Sequence, residues 1–299
     1  MELAIFGASV SPAFAMTIVA CVQFRRAFTD LKRLVGFGPR PSASPATERT
    51  REFITDELHF AGATVTEDRF TASTPIGPIP MVNVIATIPG PSRSVVILAG
   101  HYDTKRMDVR FVVANDGASS AAFLLEMARV LARRNNKLSR WLVFFDGEEA
   151  LQRWSNTDGL YGSRHFVQEL SAQRTLNQIS ALILVDMIAD AHLDIHREAH
   201  STPWLTDVVF GEAQRLGYGR YFLNNPNAIE DDHVPFVELG VPTVDIIDLD
   251  YGLFNLYWHR PYDTVDKCSP ASLAIVARVV LATLAALETA APFGPGGAS

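Results

Sequence analysis

The chain has 299 residues and a formal net charge of −7. Hydrophobic residues make up 48% of it, which is enough to bury a large core in one α/β domain or two smaller ones. The acidic balance and the lack of a long basic run argue against a nucleic-acid-binding protein, because nothing would neutralise the phosphates. The two cysteines, Cys21 and Cys268, do not imply a disulfide framework.

The N-terminal segment, residues 1–20, is almost wholly apolar or small, and Glu2 is its only charged residue. Pro12 and the small residues argue against a membrane-spanning helix there. The segment is typical of the apolar part of an export signal, and IVAC at 18–21 is similar to a lipoprotein processing box that would lipidate Cys21. The alternative is an apolar helix packed on the body. We expect residues 1–21 to export the protein, to the periplasm or outside the cell.

The rest of the chain alternates between helix and strand patterns. Apolar residues recur with helical spacing, between Gly and Pro boundaries, at residues 22–34, 45–60, 117–134, 159–170, 203–217 and 269–288. Strands are predicted at 63–70 and 81–88, joined by a proline-rich turn at 75–80, and at 94–100, 140–146, 179–188 and 241–248. No segment beyond the N-terminus is expected to cross a bilayer.

This order of elements predicts an α/β fold, a three-layer sandwich in which helices flank a mixed, mostly parallel central β-sheet. We see no internal repeat and no interior linker. The chain is therefore interpreted as one catalytic domain at residues 22–292, followed by a flexible tail at residues 293–299.

Carboxylates and histidines stand at nearly every predicted strand end, where sites form in such folds. Each one alone is more often a helix cap or a hydrogen-bonded core group. Together at one sheet edge they indicate a divalent cation, and carboxylate plus imidazole ligands suit a catalytic zinc. The available ligands are Asp116, Glu149 and His259, with His101 and Asp186 as further candidates.

The pair Glu148–Glu149 directly follows a predicted buried strand. Because adjacent side chains at a strand end point in different directions, one glutamate can bind metal while the other faces substrate as a general base. Trp154 lies in the polar loop just beyond. Taken alone, it is interpreted as a surface aromatic that anchors its own loop.

The motifs, taken in order, resemble a known family: HYDTK (101–105), NDGAS (115–119), FFDGEEA (144–150), LYGSRH (160–165), DM (186–187), DDHVPF (231–236) and WH (258–259). They are similar to the zinc aminopeptidase (peptidase M28-like) superfamily, and within it to the glutaminyl cyclases (glutaminyl-peptide cyclotransferases). The loop around Trp154 separates the glutamate pair from the glycine-serine segment and favours the cyclases. The resemblance covers about residues 25–290.

The resemblance implies a zinc-exopeptidase-like fold and conversion of an N-terminal glutamine to pyroglutamate with release of ammonia. It implies one zinc per chain, bound by Asp116, Glu149 and His259, and Glu148 as the general acid and base. Asp186 and Asp231 would hydrogen-bond near the reacting group. Four residues would line the substrate pocket: Trp154, Trp258, Phe254 and Glu230. Trp154 would be the lid of this small pocket.

Two other interpretations stay open. A two-zinc aminopeptidase would use the same zinc and glutamate, with His101 and Asp186 as ligands of a second metal. A non-catalytic relative would be a binding module, but no ligand or base is lost from this chain. The expected partner is a peptide or protein with N-terminal glutamine, and we expect a monomer. The compact loops and few cysteines favour a bacterial enzyme.

Overall fold

A computed structural model describes residues 12–107 and 112–289, with side chains from residue 24 onward. The predictions for the segment 1–11, for lipidation of the Cys21 side chain and for the tail at 293–299 lie outside these described residues.

Helices and strands alternate along most of the chain. The helices are α1 (Pro12–Gly36), α2 (Pro45–Ala61), α3 (Ala118–Leu131), α4 (Tyr161–Ala172), α5 (Pro203–Arg215), α6 (Val234–Glu238) and α7 (Pro270–Thr289). The strands are β1 (Thr64–Thr74), β2 (Gly77–Ile88), β3 (Ser92–His101), β4 (Leu138–Phe145), β5 (Ile179–Asp186), β6 (Ile195–Glu198), β7 (Phe222–Asn227) and β8 (Thr243–Ile247).

Within the described residues, six strands form the central sheet, in the order β1-β2-β4-β3-β5-β8. Strands β4, β3, β5 and β8 are parallel to one another, and β1 and β2 join the β4 edge as antiparallel strands. The sheet is therefore mixed and mostly parallel, as predicted. Its four parallel strands end at one edge, and this edge holds the polar residues singled out above.

Helices cover both faces of the sheet, because the strand residues that point to either face are apolar. On one face, Val96 and Leu98 of β3 pack into a core that includes residues of α1, α2, α3, α5 and α7. On the other face, Ile97 and Ala99 pack into a smaller core with residues of α4 and α6. This arrangement is the expected three-layer sandwich, and strands buried on both sides explain the continuous apolar runs.

The β1–β2 hairpin differs from its prediction. Residues 75–80 were expected to form a proline-rich turn, but Thr74 already pairs with Gly77, so only two residues connect the strands. Pro78 and Pro80 belong to β2. They lie beyond the part of β2 that pairs with β4, which begins at Val84, so their missing N–H groups cost no hydrogen bond to a second neighbour.

The short parallel pair β6–β7 and the helix α6 were not predicted. Strand β6 has only four residues and β7 contains Asn-Asn-Pro, so neither carries a strong strand pattern. The pair matters for the site, because the loop after β7 leads directly to residues 228–231.

Helix α7 closes the larger core. Among the described residues it is long and apolar enough to cross a membrane by length and composition, contrary to the expectation that no later segment would be. In this structure 61% of its apolar window is buried inside the protein. The C-terminal end of α7 also contacts the sheet, because Glu288 forms an ion pair with Arg140 of β4.

Candidate active site

The carboxyl ends of the parallel strands bring the predicted polar residues together. His101 is the last residue of β3 and Asp186 the last residue of β5, while segment 146–149 directly follows β4. Asp116 lies just before α3, and His259 lies on the connection between β8 and α7. These positions are far apart in sequence and meet at one edge of the sheet.

Asp116, Glu149 and His259 form a compact cluster. His259 Nε2 lies 3.3 Å from Asp116 Oδ2 and 3.2 Å from Glu149 Oε1. One ligand atom from each of the three lies within 4.8 Å of the others. Lys105 approaches the same carboxylate, with its Nζ 3.4 Å from Glu149 Oε2. The three residues predicted as zinc ligands are thus brought together.

A second cluster shares Asp116 with the first. His101 Nε2 lies 3.3 Å from Asp116 Oδ1 and 3.2 Å from Asp186 Oδ1. Asp186 Oδ1 also accepts hydrogen bonds from the Ser120 hydroxyl and the Met187 backbone N–H. Asp116 therefore stands between the two imidazoles, with one carboxylate oxygen directed to each.

The first cluster fits zinc by its chemistry. It offers two carboxylates and one imidazole, which is the ligand type and number of a catalytic zinc site with an open position. Asp116 Oδ2 is buried, and no described residue makes a well-directed hydrogen bond to it. A buried carboxylate oxygen without a hydrogen-bond donor is costly unless a cation or water satisfies it. Asp116, Glu149 and His259 could therefore hold the ion.

The loop that carries Asp116 is fixed from behind by Asp263. The buried Asp263 carboxylate accepts hydrogen bonds from the backbone N–H of Asn115 (2.8 Å) and of Asp116 (3.2 Å). The hydroxyl of Tyr251 donates a third, at 2.7 Å. The orientation of Asp116 thus depends on a residue that lies four positions after His259 in the chain.

Arg40 holds the other side of this loop. It is fully buried, and its guanidinium donates hydrogen bonds to the carbonyls of Tyr102 (2.8 Å) and Val113 (3.3 Å). Val113 has a left-handed backbone, with φ 50°, which is unfavourable for a β-branched residue. Burial lowers the pKa of Arg40 to about 10, and the carboxylate of Asp116 opposes this shift.

Glu148 is positioned by the backbone turn at the end of β4. Gly147 has φ 74°, which L side chains rarely adopt, and a Cβ there would lie 2.5 Å from Met81 Sδ, so any other residue would be strained. The backbone N–H of Glu148 donates to Asp103 Oδ1 at 3.2 Å. Burial raises the pKa of Glu148 well above its ordinary value, although the charge of His101 opposes this. The side chain lines the same cavity as Glu149.

Asp231 faces the cavity close to Asp186. Burial, together with the negative charges of Asp186 and Asp232, raises the pKa of Asp231 to about 8. Its Oδ2 is buried and has no hydrogen-bond partner among the described residues. A group near the floor of the cavity could therefore receive a hydrogen bond from this carboxyl.

The loop around Trp154 is folded over the buried Asp158. Its carboxylate accepts hydrogen bonds from the backbone N–H groups of residues 151–153, at 2.7 to 2.9 Å. The indole of Trp154 packs on Gly159, where a Cβ would lie 2.9 Å from the ring. The indole N–H donates to Glu230 Oε2 at 3.1 Å. Trp154 is therefore held in place at the wall of the cavity.

The cavity has a volume of about 270 Å³ and contains nearly all of the predicted site residues. Trp258 lines it and stacks on His259, with ring centroids 4.2 Å apart. The lining consists of Lys105, Asp116, Glu148, Glu149, Trp154, Asp186, Met187, Ala228, Ile229, Glu230, Asp231, Ile247, Leu249, Trp258 and His259.

Two predicted residues do not line the cavity. His101 is buried behind it, within the second cluster. Phe254, predicted as part of the substrate pocket, is 89% exposed. Its backbone and that of Asn255 are left-handed, with φ 55° and 60°, and this turn leaves the ring in solvent. The expectation for Phe254 is therefore corrected.

Some site residues were missed. Lys105 stands in the HYDTK motif directly after the strand end, which could have indicated it. Asp263 and Arg40 gave no usable signal, since an isolated Asp in a turn and an Arg before a helix are common. The apolar floor residues Met187 and Ile247 stand beside strand ends and looked like ordinary core residues.

Comparison with known proteins gives the family. The model of peptidase family M28 matches residues 83–284. The chain is 32% identical to the mouse (Mus musculus) glutaminyl-peptide cyclotransferase-like protein over 277 residues, which covers 82% of this chain and 71% of that protein. It is 30% identical to the glutaminyl-peptide cyclotransferase of Drosophila melanogaster over 272 residues, covering 81% and 76%.

Solved structures agree with these sequence relatives. The glutaminyl cyclase of an Acidobacteriales bacterium superposes with a TM-score of 0.86 at 38% identity, over 96% of this chain and 99% of that one. A cluster of candidate metal ligands, a glutamate pair and an aromatic-walled cavity at the strand ends accompany that likeness. The chain belongs to peptidase family M28 and, within it, to the glutaminyl cyclases.

Proposed function

We propose that this protein is a zinc-dependent glutaminyl cyclase, which converts the N-terminal glutamine of peptides and proteins to pyroglutamate and releases ammonia. The observation that carries the proposal is the position of Glu148. It lines a small cavity with two tryptophans in its wall, next to the cluster of Asp116, Glu149 and His259.

The reaction needs one bond formed and one broken within the same residue. The α-amine attacks the side-chain carbonyl carbon, and the bond from that carbon to the amide nitrogen breaks. Glu148 takes a proton from the α-amine and later gives it to the departing ammonia, so no proton is lost overall. Burial raises the pKa of Glu148, which favours the protonated form needed for the second step.

Zinc bound by Asp116, Glu149 and His259 would supply a Lewis acid that polarises the side-chain carbonyl. Asp186 and Asp231 lie on the floor of the same cavity. Burial raises the pKa of Asp231 to about 8, which favours a protonated carboxyl that can donate a hydrogen bond to the substrate. Asp186 would accept a hydrogen bond from the α-amine and so orient it.

The two tryptophans in the cavity wall would reduce the conformational entropy that the substrate loses on cyclisation. A glutamine side chain is flexible, and cyclisation requires it to fold back on its own amine. Trp154 and Trp258 narrow the cavity and would hold this folded form, which makes the attack effectively preorganised. A peptidase would need space for an attacking water and the scissile backbone carbonyl.

The matched variants Glu148→Gln and Glu149→Gln test the assignment. Glu148→Gln should keep zinc and lose about 10²- to 10⁴-fold in turnover, because it removes general acid–base catalysis. Glu149→Gln should lose zinc, because it removes a ligand. Zinc content would be measured directly, and turnover by ammonia release and loss of 17 Da (one NH₃) from a peptide with N-terminal glutamine.

The products distinguish the cyclase from the aminopeptidase. Ammonia release from an otherwise intact peptide supports the proposal. Free glutamine and a shortened peptide would contradict it, and so would Glu148→Gln that loses zinc but stays active.

We also propose one zinc per chain, a single catalytic domain at residues 22–292, and a monomer. Two equivalents of bound metal would instead place His101 and Asp186 as ligands of a second ion. Export through residues 1–21 is a further proposal, which rests on the apolar composition of that segment. The mass of the mature N-terminus and cell fractionation would test it, including lipidation at Cys21.

A further inference from the structure

The mouth of the cavity carries one negatively charged side chain. Among the lining residues, the exposed ones are Trp154, Ala228, Glu230 and Trp258, so these form the opening. Glu230 is the charged member of this set. No described residue forms an ion pair with its carboxylate, and Lys105 is turned inward, 3.4 Å from Glu149.

The carboxylate of Glu230 is also held in one place. The Trp154 indole N–H donates to its Oε2 at 3.1 Å, while no described residue donates to Oε1. The backbone beside it is fixed as well, because the Ile229 N–H donates to the buried Glu198 carboxylate at 3.2 Å. A positioned charge at an opening loses less side-chain entropy on pairing than a free one.

The substrate must pass this charge. Under the proposed function, the N-terminal glutamine occupies the inner cavity beside Glu148 and the cluster of Asp116, Glu149 and His259. One residue of extended chain spans about 3.3–3.6 Å, so the residue after glutamine lies at the opening. Its side chain would therefore face the rim that contains Glu230.

We propose that Glu230 is a specificity-determining residue, which favours peptides with lysine or arginine directly after the N-terminal glutamine and disfavours those with aspartate or glutamate. The proposal rests on the proposed function, because it assumes that glutamine occupies the inner cavity. The charge at the opening acts on the peptide as it binds, and the chemical step is left to Glu148.

The size of the effect follows from an exposed charge pair. Relative to a neutral residue at the second position, a positive charge should raise affinity about threefold and a negative charge should lower it about threefold. A Gln-Lys peptide and a Gln-Glu peptide should therefore differ by about tenfold in kcat/KM. The difference should lie in KM, and salt should reduce it, because the screening length falls to about 3 Å at 1 M. A Gln-Ala peptide should be intermediate.

The test compares kcat/KM for matched Gln-Lys, Gln-Ala and Gln-Glu peptides in the wild type and in Glu230→Gln, followed by ammonia release. This substitution removes the charge and keeps an acceptor for the Trp154 indole. Glu52→Gln serves as the control, because it makes the same change in net charge on the exposed side of α2, away from the cavity lining.

The expected result is an approximately tenfold preference for Gln-Lys over Gln-Glu in the wild type and in Glu52→Gln, and a ratio near one in Glu230→Gln. A wild type without preference, or a preference that persists in Glu230→Gln, would overturn the inference. An equal loss for all three peptides would also overturn it, since Glu230 would then act only by positioning Trp154. Failure of every peptide to release ammonia would instead refute the proposed function.

Discussion

The carboxylate of Asp263 offers a test of how this fold positions the residues of the proposed zinc site. It does not line the cavity, but it accepts hydrogen bonds from the backbone N–H groups of Asn115 and Asp116 and from the Tyr251 hydroxyl. We expect Asp263→Asn to keep the fold and to weaken zinc binding, because the loop that presents Asp116 loses one of its anchors.

The expected loss of zinc affinity follows from the number of hydrogen-bond acceptors at this position. The carboxylate accepts three hydrogen bonds on two oxygens, whereas an amide has one oxygen, so its NH₂ group must face a donor. A buried donor left unsatisfied costs about 1–3 kcal/mol. If about 2 kcal/mol of this cost destabilises the metal-binding conformation of the Asp116 loop, zinc affinity drops about 30-fold. This loss is within the range usual for residues that orient metal ligands.

Asp158→Asn is the matched control for this prediction. Asp158 is also buried and accepts hydrogen bonds from backbone N–H groups, at residues 151–153, and from the hydroxyl of Tyr161. It supports the Trp154 loop, so its substitution should raise KM for a glutamine peptide and leave zinc affinity unchanged.

The assay is competition with a chelator of known affinity, combined with thermal unfolding of the metal-free proteins. Both variants should lose comparable stability, and only Asp263→Asn should lose zinc affinity. Unchanged zinc affinity in Asp263→Asn, or an equal loss in both variants, would show that Asp263 only stabilises the fold.

Three further results are expected. Trp154→Ala should raise KM with zinc content unchanged, because the aromatic wall and the contact to Glu230 are lost; an unchanged KM would leave Trp154 as a loop anchor. Burial alone would raise the pKa of Glu198, but hydrogen bonds, led by that from His233, lower it to about 2 from 4.5. The free energy of unfolding gained in this way is present above pH 4.5 and is lost as the pH falls towards 2. Glu198→Gln should therefore lower the free energy of unfolding by about 3 kcal/mol at pH 7. It should also flatten the dependence of stability on pH between 4.5 and 2, as measured by urea unfolding. Arg129→Met should cost about 3–5 kcal/mol by the same measurement, because it leaves carboxylates of α1, α2 and α3 buried without their cation.

Local patterns were enough to predict most of the fold. Apolar runs such as residues 94–100 and 179–188 belong to strands covered on both faces, and helical spacing with Gly and Pro boundaries located the long helices. The hairpin at Pro75–Gly77 was misjudged because prolines usually mark turns, and here two of them lie where β2 has no second neighbour.

The types of site residue could also be read from the chain. Asp116 stands just before a helix and Glu149 shortly after a strand, and parallel strands bring such boundaries to one edge. His259 lies within the long β8–α7 connection and has no such boundary beside it. Phe254 shows the limit of this reasoning. Its position in the long β8–α7 connection says nothing about ring direction, which depends on the left-handed backbone at Phe254 and Asn255.

The amino-acid sequence by itself determined the long helices, the central strands, the family and the inventory of ionisable groups, because these depend on local spacing and residue type. Only the tertiary structure decided which groups meet. Asp263 supports Asn115 across 148 residues of chain, and Trp154 contacts Glu230 across 76. Such contacts depend on how the connections pack after the sheet has formed, so no local pattern encodes them.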